Sequence, residues 1–103
     1  MGAPTTDRGG IEQVIRALRA AGWELDYVDD TEEKIPVSTE PEAVEAITAV
    51  DEAFLHVKKR ESNGVVYDTG YVFFVLGNDP EEVVCDHTTN LSDVIDPLTE
   101  GWF

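Results

Sequence analysis

The sequence EAFLHVKKRESNGVVYDTGYVFFVL, residues 52–76, decides the fold of this chain. In its first nine residues, aliphatic side chains alternate with aromatic or polar ones, and an alternation of this kind has the period of a β-strand. One side of this strand carries Ala53, Leu55 and Val57, and the other carries Phe54, His56 and Lys58. The run Ser62-Asn63-Gly64 then predicts a tight turn, because Asn-Gly tolerates the positive φ of hairpin loops.

The chain after this turn predicts two more strands of a meander. Residues 65–76 are rich in Val, Phe and Tyr, and they form either one long strand or two pieces separated at residues 68–70. The sequence Gly-Asn-Asp-Pro at residues 77–80 indicates a second turn, and residues 83–87 are the third strand. Consecutive strands joined by short turns pair antiparallel.

The N-terminal region predicts an amphipathic helix. The spacing of one apolar helix face, i, i+3, i+4, i+7, is followed by Ile11, Val14, Ile15 and Leu18. Asp7 is the expected N-cap, and Gly22 is the residue expected to end the helix. We expect residues 1–8 to be a flexible arm and residues 9–103 to form a single α+β domain.

A strand, a turn-like stretch and a second helix follow. The strand is predicted by the alternation of apolar and acidic residues at Trp23, Leu25 and Tyr27. Residues 29–37 are polar, and Pro36 argues against regular structure there. Thr39 and Glu42 have the spacing of a capping box, with Pro41 in the first turn of the helix.

The C-terminal region predicts a last short helix. Asn90 is its expected N-cap with Asp93 at the third helical position, and Pro97 is expected to kink or end it. Trp102 and Phe103 are expected to dock back on the core. The element order is then α-β-α-β-β-β-α, an α+β fold with an antiparallel sheet covered by helices on one face.

The charge of the chain restricts its partners. Twenty-two acids against seven lysines and arginines give a net charge of −15 and a pI near 4.1. Because a duplex or an anionic membrane repels such a surface, we expect neither direct nucleic-acid binding nor membrane binding. The expected partners are basic protein surfaces or cations. The oligomeric state is not readable from the sequence.

The cysteine count and the N-terminal sequence indicate the cellular compartment in which the protein is expected. The single cysteine, Cys85, has no internal partner for a disulfide, which is typical of a reducing compartment. Residues 1–7 carry neither the basic nor the apolar region of a signal peptide. The longest apolar run, residues 71–76, is far shorter than a membrane span. We expect a soluble, cytoplasmic protein.

The sequence gives weak support to catalysis or metal binding. Cys85 and His87 share a face of a predicted strand, as a nucleophile and its base or two metal ligands would. A structural zinc site needs four ligands, and His56 is the one other strong candidate. Gly9-Gly10 lacks a phosphate-binding motif and is interpreted as a flexible start of the first helix. We expect no cofactor and no catalytic residue.

Two acidic stretches without a base carry the functional prediction. Residues 24–33 contain six acids, and residues 61–103 contain nine. Carboxylates at alternate strand positions are roughly 6.6 Å apart, at about 3.3 Å per residue, which is near the scale of successive nucleic-acid phosphates. The candidate partner-binding acids are Glu24, Asp26, Asp29, Asp30, Glu32, Glu33, Asp79, Glu81, Glu82, Asp93 and Asp96.

Two other interpretations explain the same acids. Adaptation to high salt also favours abundant acids and few lysines, and this chain has three, Lys34, Lys58 and Lys59. A plain solvated surface with a housekeeping role is the other interpretation. A small enzyme or metal protein built on Cys85 and His87 is a third function class.

Residues 70–91, GYVFFVLGNDPEEVVCDHTTNL, and the run to Trp102 resemble small uncharacterised proteins of phages and prophages. The resemblance covers about the last third of the chain and transfers no site residue. It implies a mobile element, whose small acidic proteins often block host defence or transcription. The hypothesis is a non-enzymatic inhibitor, of the anti-CRISPR or DNA-mimic type, that binds a basic, nucleic-acid-binding surface of a host protein.

Overall fold

The computed structural model describes residues 2–103 and confirms the α+β class. The helices are α1 (Asp7–Ala20), α2 (Glu40–Thr48) and α3 (Ser92–Glu100). The strands are β1 (Glu24–Asp29), β2 (Lys34–Pro36), β3 (Glu52–Arg60), β4 (Val66–Val75) and β5 (Val84–His87). Short 3₁₀ turns at Pro80–Glu82 and Thr89–Leu91 precede β5 and α3. Within the described residues, no helix is both long and apolar enough to cross a bilayer.

The five strands form one antiparallel sheet in the order β2-β1-β3-β4-β5, with the helices on one face. The alternation predicted for residues 52–60 is confirmed. The side chains of β3 and β4 that point to the helices are at most 1% exposed: Ala53, Leu55, Val57, Val72 and Phe74. They pack against the apolar face of α1 and the inner sides of α2 and α3 in one core cluster.

The hairpin of β3 and β4 forms around the predicted turn. Gly64 has a φ of 88°, which glycine adopts without steric cost, and the backbone N–H of Glu61 donates to the carbonyl of Val65 at 2.8 Å. Beyond the turn, β4 is one continuous strand of ten residues, so the alternative of two pieces is wrong. It is continuous because its inward positions, Gly70 included, stay paired with β3.

Strand β1 departs from simple alternation at a β-bulge. The register with β3 shifts between Leu25 and Tyr27, so Asp26 is the extra residue. Leu25 and Val28 therefore point into the core, while Tyr27 lies on the opposite face of the sheet. The prediction that Tyr27 shares a face with Leu25 is wrong for this reason.

A short edge strand, β2, lies within the region that the sequence predicted to be turn-like. Pro36 opposes Tyr27 and Ile35 opposes Val28 in this pairing. Proline lacks a backbone N–H, but an edge strand tolerates it because one side of the strand needs no ladder bond. The strand adds a fifth member to the predicted sheet.

The first helix begins differently from the prediction. Thr6 is the N-cap, and its hydroxyl accepts a bond from the backbone N–H of Gly9 at 2.9 Å. Asp7 lies in the first turn, and its carboxylate accepts from the backbone N–H of Gly77 at 3.1 Å. Gly10 is buried inside α1, where an added Cβ would lie 2.8 Å from Val83. The two glycines are therefore part of a packed helix and not a flexible start.

The other helix ends confirm one prediction, correct a second and exclude one of the two alternatives for Pro97. The capping box of Thr39 and Glu42 is present at the start of α2. Asn90 does not cap α3, because its amide donates to the carboxylate of Asp68 and the carbonyl of Thr69. Pro97 does not end α3, which runs on to Glu100. Packing of this helix on the core offsets the backbone bond that proline cannot make.

The C-terminal aromatic residues behave differently from one another. Trp102 is 5% exposed, and its indole N–H donates to the side-chain oxygen of Gln13 in α1 at 3.0 Å. Phe103 is 84% exposed, so the prediction that it docks on the core is wrong. Its backbone N–H donates to the carbonyl of Glu100 at 3.4 Å, while its side chain lies in solvent.

Candidate functional site

One end of the sheet collects acidic residues from separate segments of the chain. In this antiparallel order, the ends of β1 and β4 lie beside the starts of β2, β3 and β5. The β1–β2 loop, the α2–β3 connection and the 3₁₀ turn before β5 therefore lie at that same end of the sheet. Its carboxylates, here called the acidic end, are Asp29, Asp30, Glu32, Glu33, Asp51, Glu52, Asp79, Glu81 and Glu82.

The β1–β2 loop is shaped by its own carboxylates. Asp29 accepts a bond from the backbone N–H of Thr31 at 2.9 Å, and Asp30 accepts from those of Glu32 and Glu33 at 3.0 and 2.8 Å. The backbone donors of Glu33 and Glu32 hold the pKa of Asp30 below its ordinary value. Asp30 is therefore ionised at neutral pH, and the loop presents the exposed side chains of Glu32 and Glu33.

Two further acids in the acidic end, Asp51 and Glu52, were missed by the sequence analysis. They line the same shallow depression as Asp30 and Glu32. The strand order locates them: Asp51 directly precedes β3 and Glu52 is the first residue of that strand, which pairs antiparallel with β1. The charge of the sequence around them is unremarkable, so composition alone does not find them.

The third segment of the acidic end is the turn at Pro80–Glu82. The backbone N–H of Val75, at the end of β4, donates to the carbonyl of Val83 at 2.9 Å, which fixes this turn beside the sheet. Asp79 and Glu82 are exposed there, and Glu81 is half-buried. The predicted acids of residues 79–82 therefore lie at the same end of the sheet as those of the β1–β2 loop, toward the opposite edge.

Bases neutralise two of the predicted acids. Lys58 lies 3.1 Å from the carboxylate of Asp26, and Arg60 lies 3.3 Å from that of Glu24. Both bases come from β3, so the base-free stretch of residues 24–33 acquires bases through strand pairing. These two acids lie away from the acidic end, toward the β3–β4 turn.

The nine carboxylates of the acidic end form no ion pair within residues 2–103. Two bases lie near this end. Arg8, in the first turn of α1, is 3.9 Å from Glu12, and Lys34 holds its Nζ 5.2 Å from the ring centre of Tyr27. The charge of the acidic end is therefore available to a partner.

The remaining predicted acids, Asp93 and Asp96, lie on α3. Asp93 is exposed in the first turn of this helix. Asp96 lies 3.0 Å from Nε2 of His87, whose Nδ1 is 2.8 Å from the carbonyl oxygen of Thr88. Asp93 and Asp96 therefore do not belong to the acidic end.

The Cys85 and His87 pair occupies an irregular part of β5. The register between β4 and β5 shifts at Cys85, which is an exposed free cysteine in a β-bulge. His87 points to α3 and is half-buried. No group of three or more potential metal ligands occurs in the part of the chain that the structure describes.

The face of the sheet without helices carries an aromatic cluster that the sequence analysis did not assign to a site. This open aromatic face consists of Tyr27, Phe54, His56, Tyr71 and Phe73. Phe54 and Phe73 stack with ring centres 4.3 Å apart, and Tyr27 stacks on His56 at 4.2 Å. The available signal was that β3 and β4 are apolar or aromatic on both sides.

His56 lies at the centre of this face, between the rings of Tyr27 and Tyr71. Burial lowers the pKa of His56, an effect opposed by the negative charges of Asp29 and Asp26. The imidazole is therefore neutral at neutral pH and acts as one more flat ring of the cluster.

Comparisons with protein-family models, with curated proteins and with solved structures find no match for this chain. The acidic end and the open aromatic face are the two surfaces on which a function is proposed.

Proposed function

We propose that this chain is a non-enzymatic inhibitor whose acidic end occupies a basic, nucleic-acid-binding surface of another protein. The observation that carries the proposal is the placement of nine carboxylates, from separate segments, at one end of the sheet without an ion pair in the described part of the chain. At the acidic end, the carboxylates would take the place of nucleic-acid phosphates on the partner's basic surface.

The spacing of the segments supports this proposal. Neighbouring strands are about 4.8 Å apart, so acids at successive strand ends repeat on the scale of nucleic-acid phosphates. The hydrogen bonds of Asp29 and Asp30 hold the loop in shape before a partner binds, which reduces the entropy lost on binding. Electrostatic attraction to a basic partner also accelerates association.

The most concrete form of the proposal is a phage-encoded protein that acts in the host cytoplasm against a nucleic-acid-binding machine, as anti-CRISPR proteins do. The chain would then compete with DNA or RNA and would not bind either itself. The competing interpretation, in which the acids only keep the protein solvated, gives no special role to the acidic end.

The test compares two variants with the same change in charge. E32Q/E33Q/E52Q removes three exposed charges from the acidic end, and E45Q/E61Q/E100Q removes three exposed charges elsewhere. A bacterial lysate is bound to DNA-cellulose, and each purified chain is added at low salt. We expect the wild-type chain and the control variant to release a nucleic-acid-binding protein from the DNA.

The variant of the acidic end should release that protein less efficiently, with association about threefold to tenfold slower. Excess duplex DNA should compete with the chain. Equal behaviour of the two variants would contradict the proposal and favour acids that serve only solvation. So would the absence of any released protein in lysates of candidate hosts.

A further inference from the structure

The open aromatic face has an ordered arrangement of charges around it. Strand pairing places Asp29, Phe54, Phe73 and Asp86 in one continuous row across four strands, since each residue directly opposes the next. The two stacked phenylalanine rings are thus flanked by a carboxylate on each side. Three interstrand spacings of about 4.8 Å separate the Cα atoms of the two aspartates by roughly 14 Å.

A second row lies beside the first. Pro36, Tyr27, His56 and Tyr71 oppose one another in the same way across β2, β1, β3 and β4. The cluster therefore spans two rows of aromatic side chains. Each ring remains partly exposed, because the three helices lie on the other face of the sheet.

Flat aromatic rings beside carboxylates are suited to arginine. A guanidinium stacks on an aromatic face and donates paired hydrogen bonds to a carboxylate, whereas a lysine ammonium is a strongly hydrated point charge. The face already holds one intramolecular cation, because Nζ of Lys34 lies 5.2 Å from the ring centre of Tyr27. Within residues 2–103, no lysine or arginine lies over the rings of Phe54 and Phe73, between Asp29 and Asp86.

We propose that the open aromatic face binds arginine side chains of a basic protein partner. The guanidinium groups would stack over Phe54 and Phe73 and pair with Asp29 and Asp86. This inference rests on the proposed function and adds a recognition site to it. Asp29 belongs both to this row and to the acidic end, so the two surfaces are continuous and one partner can contact both.

Charge complementarity favours a basic partner over a second copy of this chain. Each copy carries a net charge of −15, so two copies repel each other as they approach. An arginine-bearing surface is attracted by the whole molecule and also by the flanking aspartates.

The experiment uses two peptides of equal charge, nona-arginine and nona-lysine, with labelled ends and fluorescence anisotropy as the measurement. Both peptides should bind the acidic chain, and nona-arginine should bind about threefold to tenfold more tightly. F54I/F73I should abolish this preference and leave the affinity for nona-lysine unchanged. Isoleucine keeps an apolar, strand-compatible side chain and removes the aromatic ring.

The matched control is Y67I, because Tyr67 is an exposed aromatic near the β3–β4 turn and lies outside the cluster. It should retain the preference for arginine. D29N/D86N is a second variant that leaves the rings intact, and it should also reduce the preference. Its control, D93N/E100Q, removes the same amount of charge from α3 and should leave the preference for arginine unchanged.

Three outcomes would overturn the inference. These are equal affinity for both peptides, an arginine preference that persists in F54I/F73I, and a dimer in sedimentation velocity that F54I/F73I converts to a monomer. The last result would assign the face to a second copy. The proposed function fails separately, if E32Q/E33Q/E52Q binds both peptides as tightly as the wild-type chain does.

Discussion

The two faces of the central sheet are built from alternate residues of the same strands, yet they differ in burial and chemistry. Phe74 points to the helices and is completely buried, whereas its neighbour Phe73 lies half-buried on the open face. On the covered face, aliphatic residues dominate and pack against three helices. On the open face, aromatic rings shield one another without a covering layer.

This difference separates two roles for apolar side chains. The covered face accounts for folding, because its residues lose all contact with water and fill the core. The aromatic rings of the open face lie outside the buried core, and a patch of partly exposed rings is typical of an interaction surface. Substitutions in adjacent residues can therefore test the two roles separately.

The largest predicted effect comes from truncating a ring on the covered face. Phe74→Ala should reduce the free energy of unfolding by about 3–5 kcal/mol, because it removes a fully buried ring and leaves a cavity. Phe73→Ala should cost about 1–2 kcal/mol, since water already reaches part of that side chain. Urea unfolding followed by circular dichroism measures both values.

Equal losses for the two variants at low protein concentration would contradict this comparison. That result would mean that the open face is as well buried in solution as the core. If the loss in Phe73→Ala grew with protein concentration, the face would be covered by another copy.

A smaller loss is predicted at the crowded end of the covered face. A Cβ added to Gly70 would lie 2.7 Å from the hydroxyl oxygen of Thr88 and 3.1 Å from Leu91. That hydroxyl also accepts a bond from the backbone N–H of Tyr71 at 3.2 Å. Gly70→Ala should therefore destabilise the protein by about 1–3 kcal/mol through overpacking.

The control for Gly70→Ala is Thr69→Ala, in the adjacent residue, which is exposed. Its expected cost is below about 1 kcal/mol, mainly from the lower strand propensity of alanine. Thermal unfolding gives the order of the two variants. A Gly70→Ala protein as stable as the wild type would show that the 3₁₀ turn at Thr89–Leu91 can move away from β4.

The covered face was predictable from the sequence, and the site was predictable in part. Alternation in residues 52–60 placed Leu55 and Val57 correctly, because a regular strand has a fixed period of two. Alternation failed at Tyr27, because the bulge at Asp26 adds one residue that no local pattern announces. The position of Pro97 inside α3 depends on tertiary packing, which outweighs its local preference.

The acidic end illustrates what a sequence leaves undetermined. The acids at residues 29–33 and 79–82 were identified from their local density, but their placement at one end of the sheet depends on the strand order. The same strand order supplies Lys58 and Arg60 to Asp26 and Glu24, which appeared to be free of bases along the chain. Charge density is a local property of the sequence, whereas charge pairing is a property of the fold.

The smallest predicted effect concerns the pH dependence of the open face. Burial lowers the pKa of His56 in the folded protein, so the unfolded chain takes up a proton at a higher pH than the folded one does. The contribution of neutral His56 to stability is therefore complete above its unfolded pKa, near 6.5. It is lost progressively as the pH falls from there toward the lower folded pKa.

Urea unfolding at pH 7.5 and at pH 5.5, in wild type and His56→Phe, measures this contribution. The variant keeps a flat ring between Tyr27 and Tyr71 but cannot take up a proton. We expect the wild-type protein to lose more stability than the variant between these two values. The groups around His56 are the carboxylates of Asp26 and Asp29 and the ammonium groups of Lys34 and Lys58, and all of them remain in both proteins.

An identical pH dependence in the two proteins would mean that His56 is as well hydrated in the folded state as in the unfolded chain. A wild type that gains stability on acidification, relative to His56→Phe, would mean that Asp26 and Asp29 outweigh burial and hold an imidazolium on the face. A cation would then already lie among the aromatic rings, and the open face would repel an incoming arginine at acidic pH. The pH dependence of His56 therefore also determines the pH range in which the nona-arginine experiment tests the aromatic rings alone.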